Sequence, residues 1–262
     1  MPAINPERLL GDLYALRRIG TYKTGVHRPT LSPDDVVSRQ WLVDRMTEAG
    51  LDAQIDGIAN VFGRSRAGGR KMLAGSHIES QNQAGWLDGA LGVIYALEAA
   101  RALRDDLATR DVGVDVIAFC DEEGHFGSYL GSRSFIGDVS EAEIDKARDR
   151  THGKMMREAL KEAGYAGRPR LTFEPGRYAG YFEAHIEQGR SLETSNLKIG
   201  VVTAIVGLWD YRIKVTGHQN HAGTTTMAER KDAGLTLVRL IAAIDQAFKK
   251  ATGPRSVWTC GR

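Results

Sequence analysis

Four segments of the 262-residue sequence put small, turn-forming residues next to side chains able to hold a metal. They are Gly75-Ser76-His77-Ile78-Glu79-Ser80, Gly85-Trp86-Leu87-Asp88-Gly89-Ala90, Cys120-Asp121-Glu122-Glu123-Gly124-His125-Phe126-Gly127 and Glu183-Ala184-His185-Ile186-Glu187-Gln188-Gly189. Imidazole and carboxylate suit zinc, manganese and related divalent ions, and a carboxylate has two oxygens with which to bridge a pair. His77, Asp88, Glu123 and His185 would give one bond each, with a second from a bridging Asp88. That is one short of the roughly six bonds that two catalytic ions want. Glu79, two residues after His77, suits a role behind the ligand, orienting the imidazole. Each residue also has a plainer reading. His77 fits a polar network at a strand end, Asp88-Gly89 a turn or helix cap, and Glu122-Glu123 a solvated acidic pair. That pair, however, directly follows an apolar run. Glu183, His185 and Glu187 alternate as the polar face of a strand would. His221, inside Asn220-His221-Ala222-Gly223-Thr224-Thr225-Thr226, equally reads as a loop histidine. His27, His152 and His218 read as surface residues, and His125 stays open.

The elements that must position these groups are legible as alternating helices and strands. Asn5-Pro6 opens a helix with Leu9, Leu10, Leu13 and Leu16 on one side. Ser32-Pro33-Asp34-Asp35 opens a second, with Ser32 as cap and the aspartates at its positive end. It carries Val36, Val37, Trp41, Leu42 and Met46 and stops at Gly50. Leu51, Ala53 and Ile55 alternate as a strand, and short strands around Val61-Phe62 and Met72-Leu73-Ala74 flank Ala67-Gly68-Gly69. Leu91 to Leu103 reads as a helix, Val112 to Cys120 as a buried strand and 141–163 as helical. Tyr181 to His185 and Ile199 to Val206 read as further strands. From Leu208 the order is strand (Tyr211 to Val215), loop, long helix (Lys231 to Lys249), strand (Ser256 to Cys260). Such alternation predicts an α/β fold with a mixed, largely parallel sheet and flanking helices, and a smaller α/β unit beginning at 208. In parallel sheets, sites assemble at the carboxyl ends of strands, so the four segments can converge.

Composition narrows the class. The 35 Lys and Arg nearly cancel the 33 Asp and Glu, for a net charge of +2, which argues against nucleic-acid binding driven by phosphate neutralisation. Two cysteines cannot make a disulfide framework and fit a reducing cytoplasm. No run approaches the ~18 apolar residues of a membrane span, and the N-terminus has no apolar signal core. No strand is followed by a GxGxxG or GxxxxGK[ST] loop, so a nucleotide site is not expected.

The runs GSHIESQNQAGWLDGALGV, DEEGHFGSYLGSRSFIG, FEAHIEQGRSLE and GHQNHAGTTTMAERKDAG give the chain a resemblance to a known family. In order and spacing the sequence resembles the hydantoinase/carbamoylase branch of the aminoacylase and metallopeptidase superfamily, over about residues 10 to 262. That branch includes N-carbamoyl-L-amino acid hydrolases, β-ureidopropionases and allantoate amidohydrolases. The resemblance implies a di-metal aminopeptidase-like catalytic domain, here 1–207, and an inserted α/β domain used for homodimerisation, beginning at 208–262. It implies His77, Asp88, Glu123 and His185 as ligands of two divalent ions (zinc or manganese, with cobalt or nickel as alternatives), Asp88 bridging. It further implies Glu122 as general base, Gln188 as a substrate contact, and His221 as the histidine that reaches the reacting carbonyl, typically from the partner subunit. The expected reaction is hydrolysis of a linear carbamoyl or ureido C–N bond on a small carboxylic acid. A dipeptidase or N-acyl-amino acid deacylase is the alternative, and an inactive fragment a further one. The sequence departs from the family where Glu79 replaces a usual aspartate, around His125 where a Ser-Arg pair is usual, and at Thr226 in place of proline; these bear on substrate preference. Family members are longer, and the expectation is that a last metal-binding histidine and a carboxylate-holding arginine and asparagine lie beyond residue 262.

Overall fold

The fold is described from a computed structural model covering residues 2–261; Met1 and Arg262, the outer ends of the two expected domains, lie outside the described residues. The chain divides into two units, 1–198 and 199–262. The sequence reading draws that line later, between Gly207 and Leu208.

The first unit begins with helix α1 (Pro6–Arg18), where the Asn5 side chain accepts the Arg8 amide, and a two-stranded ribbon, β1 (Thr21–Tyr22) and β2 (Gly25–Val26). Helix α2 (Pro33–Glu48) follows, capped by the Ser32 hydroxyl on the Asp35 amide. Each such cap satisfies an otherwise orphaned N–H and contributes about 1 kcal/mol. Strands β3 (Asp52–Ile55), β4 (Val61–Arg64) and β5 (Lys71–His77) lead to helix α3 (Ala90–Asp105) and strand β6 (Val114–Phe119). Short helices α4 (Leu130–Phe135), α5 (Glu141–Lys146) and α6 (Met156–Glu162), strand β7 (Tyr178–Phe182) and a single helical turn, α7 (Ser191–Thr194), complete the unit.

The sheet order is β3-β4-β6-β5-β7. β5 pairs in parallel with both β6 and β7, while β4 is antiparallel to β6 and to β3. β4 is therefore the one reversed strand of the five, the mixed and largely parallel sheet expected from the sequence. Because side chains alternate along a strand, β4, β5 and β6 each feed two cores. Val61, Ala74, Val116 and Ala118 face the larger core with α2 and α3 residues Leu42, Met46, Val93 and Leu97. Their neighbours Phe62, Leu73 and Ile117 face a smaller one with Phe135 and Tyr178.

Several expectations are corrected. The stretch 141–163 is two short helices, not one: Asp149 accepts the amides of Thr151 and His152, and Gly153 turns the chain at φ +77°. The seventh strand ends at Phe182, before His185, so Glu183, His185 and Glu187 are not a strand face. Glu187 instead takes the amides of Ser191 and Leu192 at the start of α7. In α2, Val37 points outward, and the buried stripe is Asp35, Ser38, Arg39, Leu42 and Met46.

The second unit contains one long helix among the described residues, α8 (Ala233–Ala251), capped by Asp232. The segments 199–206, 211–215 and 256–260, expected as strands, form none. A strand exists only when a neighbour takes its ladder hydrogen bonds, and no such neighbour is paired with them among the described residues.

Candidate metal centre

β5, β6 and β7 run in parallel, so their carboxyl ends share one edge of the sheet, and the chemistry-bearing side chains collect there. His77 is the last residue of β5 and is buried. Asp88 precedes the first turn of α3, Glu122 and Glu123 follow β6, and His185 follows β7. Among the described residues, His77, Asp88 and His185 form one group whose ligand atoms all lie within 4.8 Å of one another.

The way the two imidazoles are held fits metal binding. His77 Nδ1 lies 3.0 Å from the Glu79 carbonyl oxygen, and His185 Nδ1 lies 2.9 Å from that of Ile186. A carbonyl only accepts, so each Nδ1 carries the hydrogen, and in the neutral ring Nε2 bears the lone pair. Both Nε2 atoms face carboxylates: His77 Nε2 lies 3.4 Å from Glu122 Oε2 and His185 Nε2 lies 3.2 Å from Asp88 Oδ1. Lone pairs aimed at acid oxygens call for a cation between them, either a proton or a metal ion. Two nitrogens and a carboxylate suit a divalent ion such as zinc or manganese.

The electrostatics agree. Burial opposes the charge on His77, but the carboxylates of Glu79, Glu122 and Glu123 outweigh it and raise the imidazole pKa. Burial also raises the pKa of Glu122, with Glu123, Glu79 and Asp88 adding to it and His77 opposing. Gly89 lets α3 start against the imidazole: its φ is +64°, and a Cβ there would sit 2.3 Å from the His77 ring. Asp121, itself at φ +60°, folds the acidic loop back by accepting the amides of His125, Phe126 and Gly127. Burial pushes its carboxyl up to about 7 against those three amides.

The remaining sequence candidates have the following places. Glu123 lies outside the close group: its Oε2 accepts the Gln81 side-chain amide at 2.6 Å, and its Oε1 has only the Gln81 backbone N–H at 3.3 Å. Gln188 donates to Asp88 Oδ2 at 2.7 Å. Glu79 is fully buried, bonded to Arg39 and to the Glu122 amide. His125 is buried with Nδ1 3.2 Å from the Thr30 hydroxyl, and burial lowers its pKa. His221 belongs to the second unit, where its Nδ1 accepts the amides of Gly223 and Thr224, each at 3.1 Å. That fixes the hydrogen of the neutral ring on Nε2. Arg230 clamps the same loop through the carbonyls of His221, Ala222 and Thr225.

Sequence reasoning passed over Arg39, Gln81, Asp121 and Arg230, which hold the candidate residues in place. For Arg39 a signal existed: Asp35, Ser38 and Arg39 fall on the helical stripe of Leu42 and Met46.

Residues 72–260 match peptidase family M20/M25/M40. The chain is 34% identical over 269 residues to an N-carbamoyl-L-amino-acid amidohydrolase of Pseudomonas sp. (strain NS671), covering 99% of this chain and 64% of that protein. It is 33% identical over 272 residues to an allantoate deiminase of Arabidopsis thaliana, covering 98% of this chain and 50% of that protein. In structure it is similar to an amidase of the hydantoinase/carbamoylase family from Burkholderia phymatum, with a TM-score of 0.85 and 50% identity, over 100% of this chain and 65% of that one. The chain thus spans between half and two thirds of the length of these relatives.

Proposed function

The chain belongs to peptidase family M20/M25/M40, close to its hydantoinase/carbamoylase amidases, and from that premise we propose a metal-dependent amidohydrolase acting on linear carbamoyl or ureido groups of small carboxylic acids. The observation that carries this reading is the His77–Asp88–His185 group, with both imidazoles anchored at Nδ1 and presenting Nε2. His77, Asp88, Glu123 and His185 would hold two divalent ions, zinc or manganese, with Asp88 shared. Bound there, the ions would supply a polarised carbonyl and a water acidic enough to attack near neutral pH.

The chain's own residues do the rest. Glu122 stands at the rim of the group with Oε2 3.4 Å from His77 Nε2, and would be the base that takes the proton of the attacking water and then delivers it to the leaving nitrogen. Glu79 keeps the His77 ring oriented, and Gln188, now on Asp88, is placed to exchange that contact for a substrate group. His221, with hydrogen on Nε2, is a donor suited to an oxyanion, whose charge grows only in the transition state. As in the sequence reading, the protein would work as a cytoplasmic homodimer, with His221 serving the partner's site.

The test is a substrate comparison on the complete gene product loaded with zinc or manganese. N-carbamoyl-amino acids, allantoate and ureidoglycolate are set against N-acyl-amino acids and dipeptides. Turnover of a carbamoyl or ureido compound at least tenfold above the acyl and peptide substrates is expected. Preference for a dipeptide or an acyl-amino acid would replace this reading with the peptidase or deacylase one, and no turnover of any would reject it.

A further inference from the structure

Arg39 lies in α2, with no exposed side-chain surface, yet it carries a charge. Each of its three nitrogens donates a hydrogen bond in a different direction. Nε donates to Asp35 Oδ2 at 2.8 Å, Nη1 to the Ala59 carbonyl at 2.6 Å and Nη2 to Glu79 Oε2 at 3.0 Å. Asp35 is in turn held by the Leu31 amide at 2.8 Å. A buried ion group of this kind is weak evidence for stability, because desolvation offsets its attraction, so its position asks for another reason.

That reason lies in what Glu79 does with its remaining acceptors. Oε1 takes the backbone N–H of Glu122 at 2.7 Å, and the carbonyl oxygen takes Nδ1–H of His77 at 3.0 Å. One residue thus touches both the end of β5 and the loop after β6. The Glu79 carboxylate stays 4.0 Å from His77 Nδ1, so the ring proton rests on a neutral carbonyl rather than on the acid. Without the Arg39 fork, the buried carboxylate would lose its charged partner and be drawn toward the ring N–H of His77, 4.0 Å away. The Glu122 amide would then lose its partner and the imidazole would tilt.

We infer that Arg39 is a positioning residue, which fixes Glu79 so that this single residue, through its carboxylate on the Glu122 amide and its carbonyl on the His77 ring, holds His77 and Glu122 in register with each other. The inference rests on the reading of His77 as a ligand and Glu122 as the base. A lysine in its place keeps the charge but, as a single nitrogen, lacks the planar fork whose separate nitrogens reach Asp35, Ala59 and Glu79.

The test uses the complete gene product without added metal, read by NMR hydrogen exchange. In the wild type, the Glu122 amide and the His77 ring N–H are protected together. In Arg39→Lys the Glu122 amide exchanges at least tenfold faster and the His77 ring signal is lost, while the β5–β6 ladder amides keep their wild-type rates. Arg101→Lys, a buried arginine bonded to Asp12 between α1 and α3, leaves both sites unchanged. Zinc titration adds a second readout: Arg39→Lys weakens binding at least tenfold and Arg101→Lys does not. Unchanged protection at both sites, equal acceleration across the ladder, or wild-type zinc affinity in Arg39→Lys overturns the inference. If the wild type takes up no zinc, the metal reading fails, and the exchange rates still decide the role of Arg39. Should Arg39→Lys not fold, Asp35→Asn loosens the guanidinium's anchor without leaving it unpaired. The same two sites must then exchange faster together for the inference to stand.

Discussion

Glu122 and Glu123 are consecutive, chemically identical and differently placed. Glu122 has its carboxylate beside His77 and its amide on Glu79, whereas Glu123 is held by Gln81, itself bonded to Arg150. If Glu122 is the base and Glu123 a ligand, the two glutamines should fail in different ways. In the complete gene product, Glu122→Gln keeps both metals while turnover falls ~10²–10⁴-fold, the usual contribution of a general base. Glu123→Gln loses metal first and regains part of its activity in excess divalent ion. Metal content and rate measured side by side decide; if Glu122→Gln is the variant that sheds metal, the roles are exchanged. The candidate ligands were legible because each couples a donor side chain to a turn residue just after an apolar run. Their supports were less so. Arg39 looks like an ordinary charged residue on a helix until its place on the stripe of Leu42 and Met46 is noticed. Gln81 gives no signal at all, because an amide's partner lies across the fold and not along the sequence.

At the scale of elements, the sheet and its helices follow from patterns the chain carries locally: caps at Asn5 and Ser32, alternation in β5 and β6, apolar spacing in α3. The second unit shows where such reading stops. Residues 199–206 have the composition of a strand, but composition specifies a face, not a partner, and the ladder is what makes the strand. The split of 141–163 was missed for a different reason, because helical spacing on either side hid the turn at Gly153. Where an element abuts the site, a single methyl group should be decisive. Gly89→Ala puts a side chain on a backbone of φ +64° and ψ −48°, which residues with a Cβ rarely adopt, and drives that Cβ into the His77 ring. The start of α3 must then retreat, taking Asp88 with it, so the variant should melt lower and bind zinc at least tenfold more weakly. Gly11→Ala, inside α1 with nothing within 4 Å, is the control: it should gain about 0.5–1 kcal/mol and leave zinc binding alone. Equal zinc affinity in both variants would mean that the α3 terminus does not set the site.

At the scale of the whole molecule, the near balance of charge leaves shape and apolar surface to govern association. In the second unit Ile205 and Leu208 are 90% exposed, and Val238, Ile241 and Phe248 of α8 are only partly covered. Exposed apolar side chains are surface that a partner can cover. The same unit carries His221, whose Nδ1 is saturated by two amides and whose Nε2 is left as a donor. A histidine set in one tautomer, in a loop clamped by Arg230, has its Nε2–H available to donate outside its own loop. If the acceptor is the carbonyl at the partner's metal centre, the two functions are separable between subunits. A His221→Ala subunit keeps an intact centre but cannot serve its partner; a Glu122→Gln subunit has a dead centre but a competent histidine. Mixed in equal amounts as the complete gene product, the two inactive variants should regain about a quarter of wild-type activity. Half the dimers are then hybrid, and each hybrid has one complete site of two. Service within the same chain predicts the opposite. The Glu122→Gln subunit is then dead at its centre, the His221→Ala subunit lacks its own donor, and hybrids verified by mass should show no recovery.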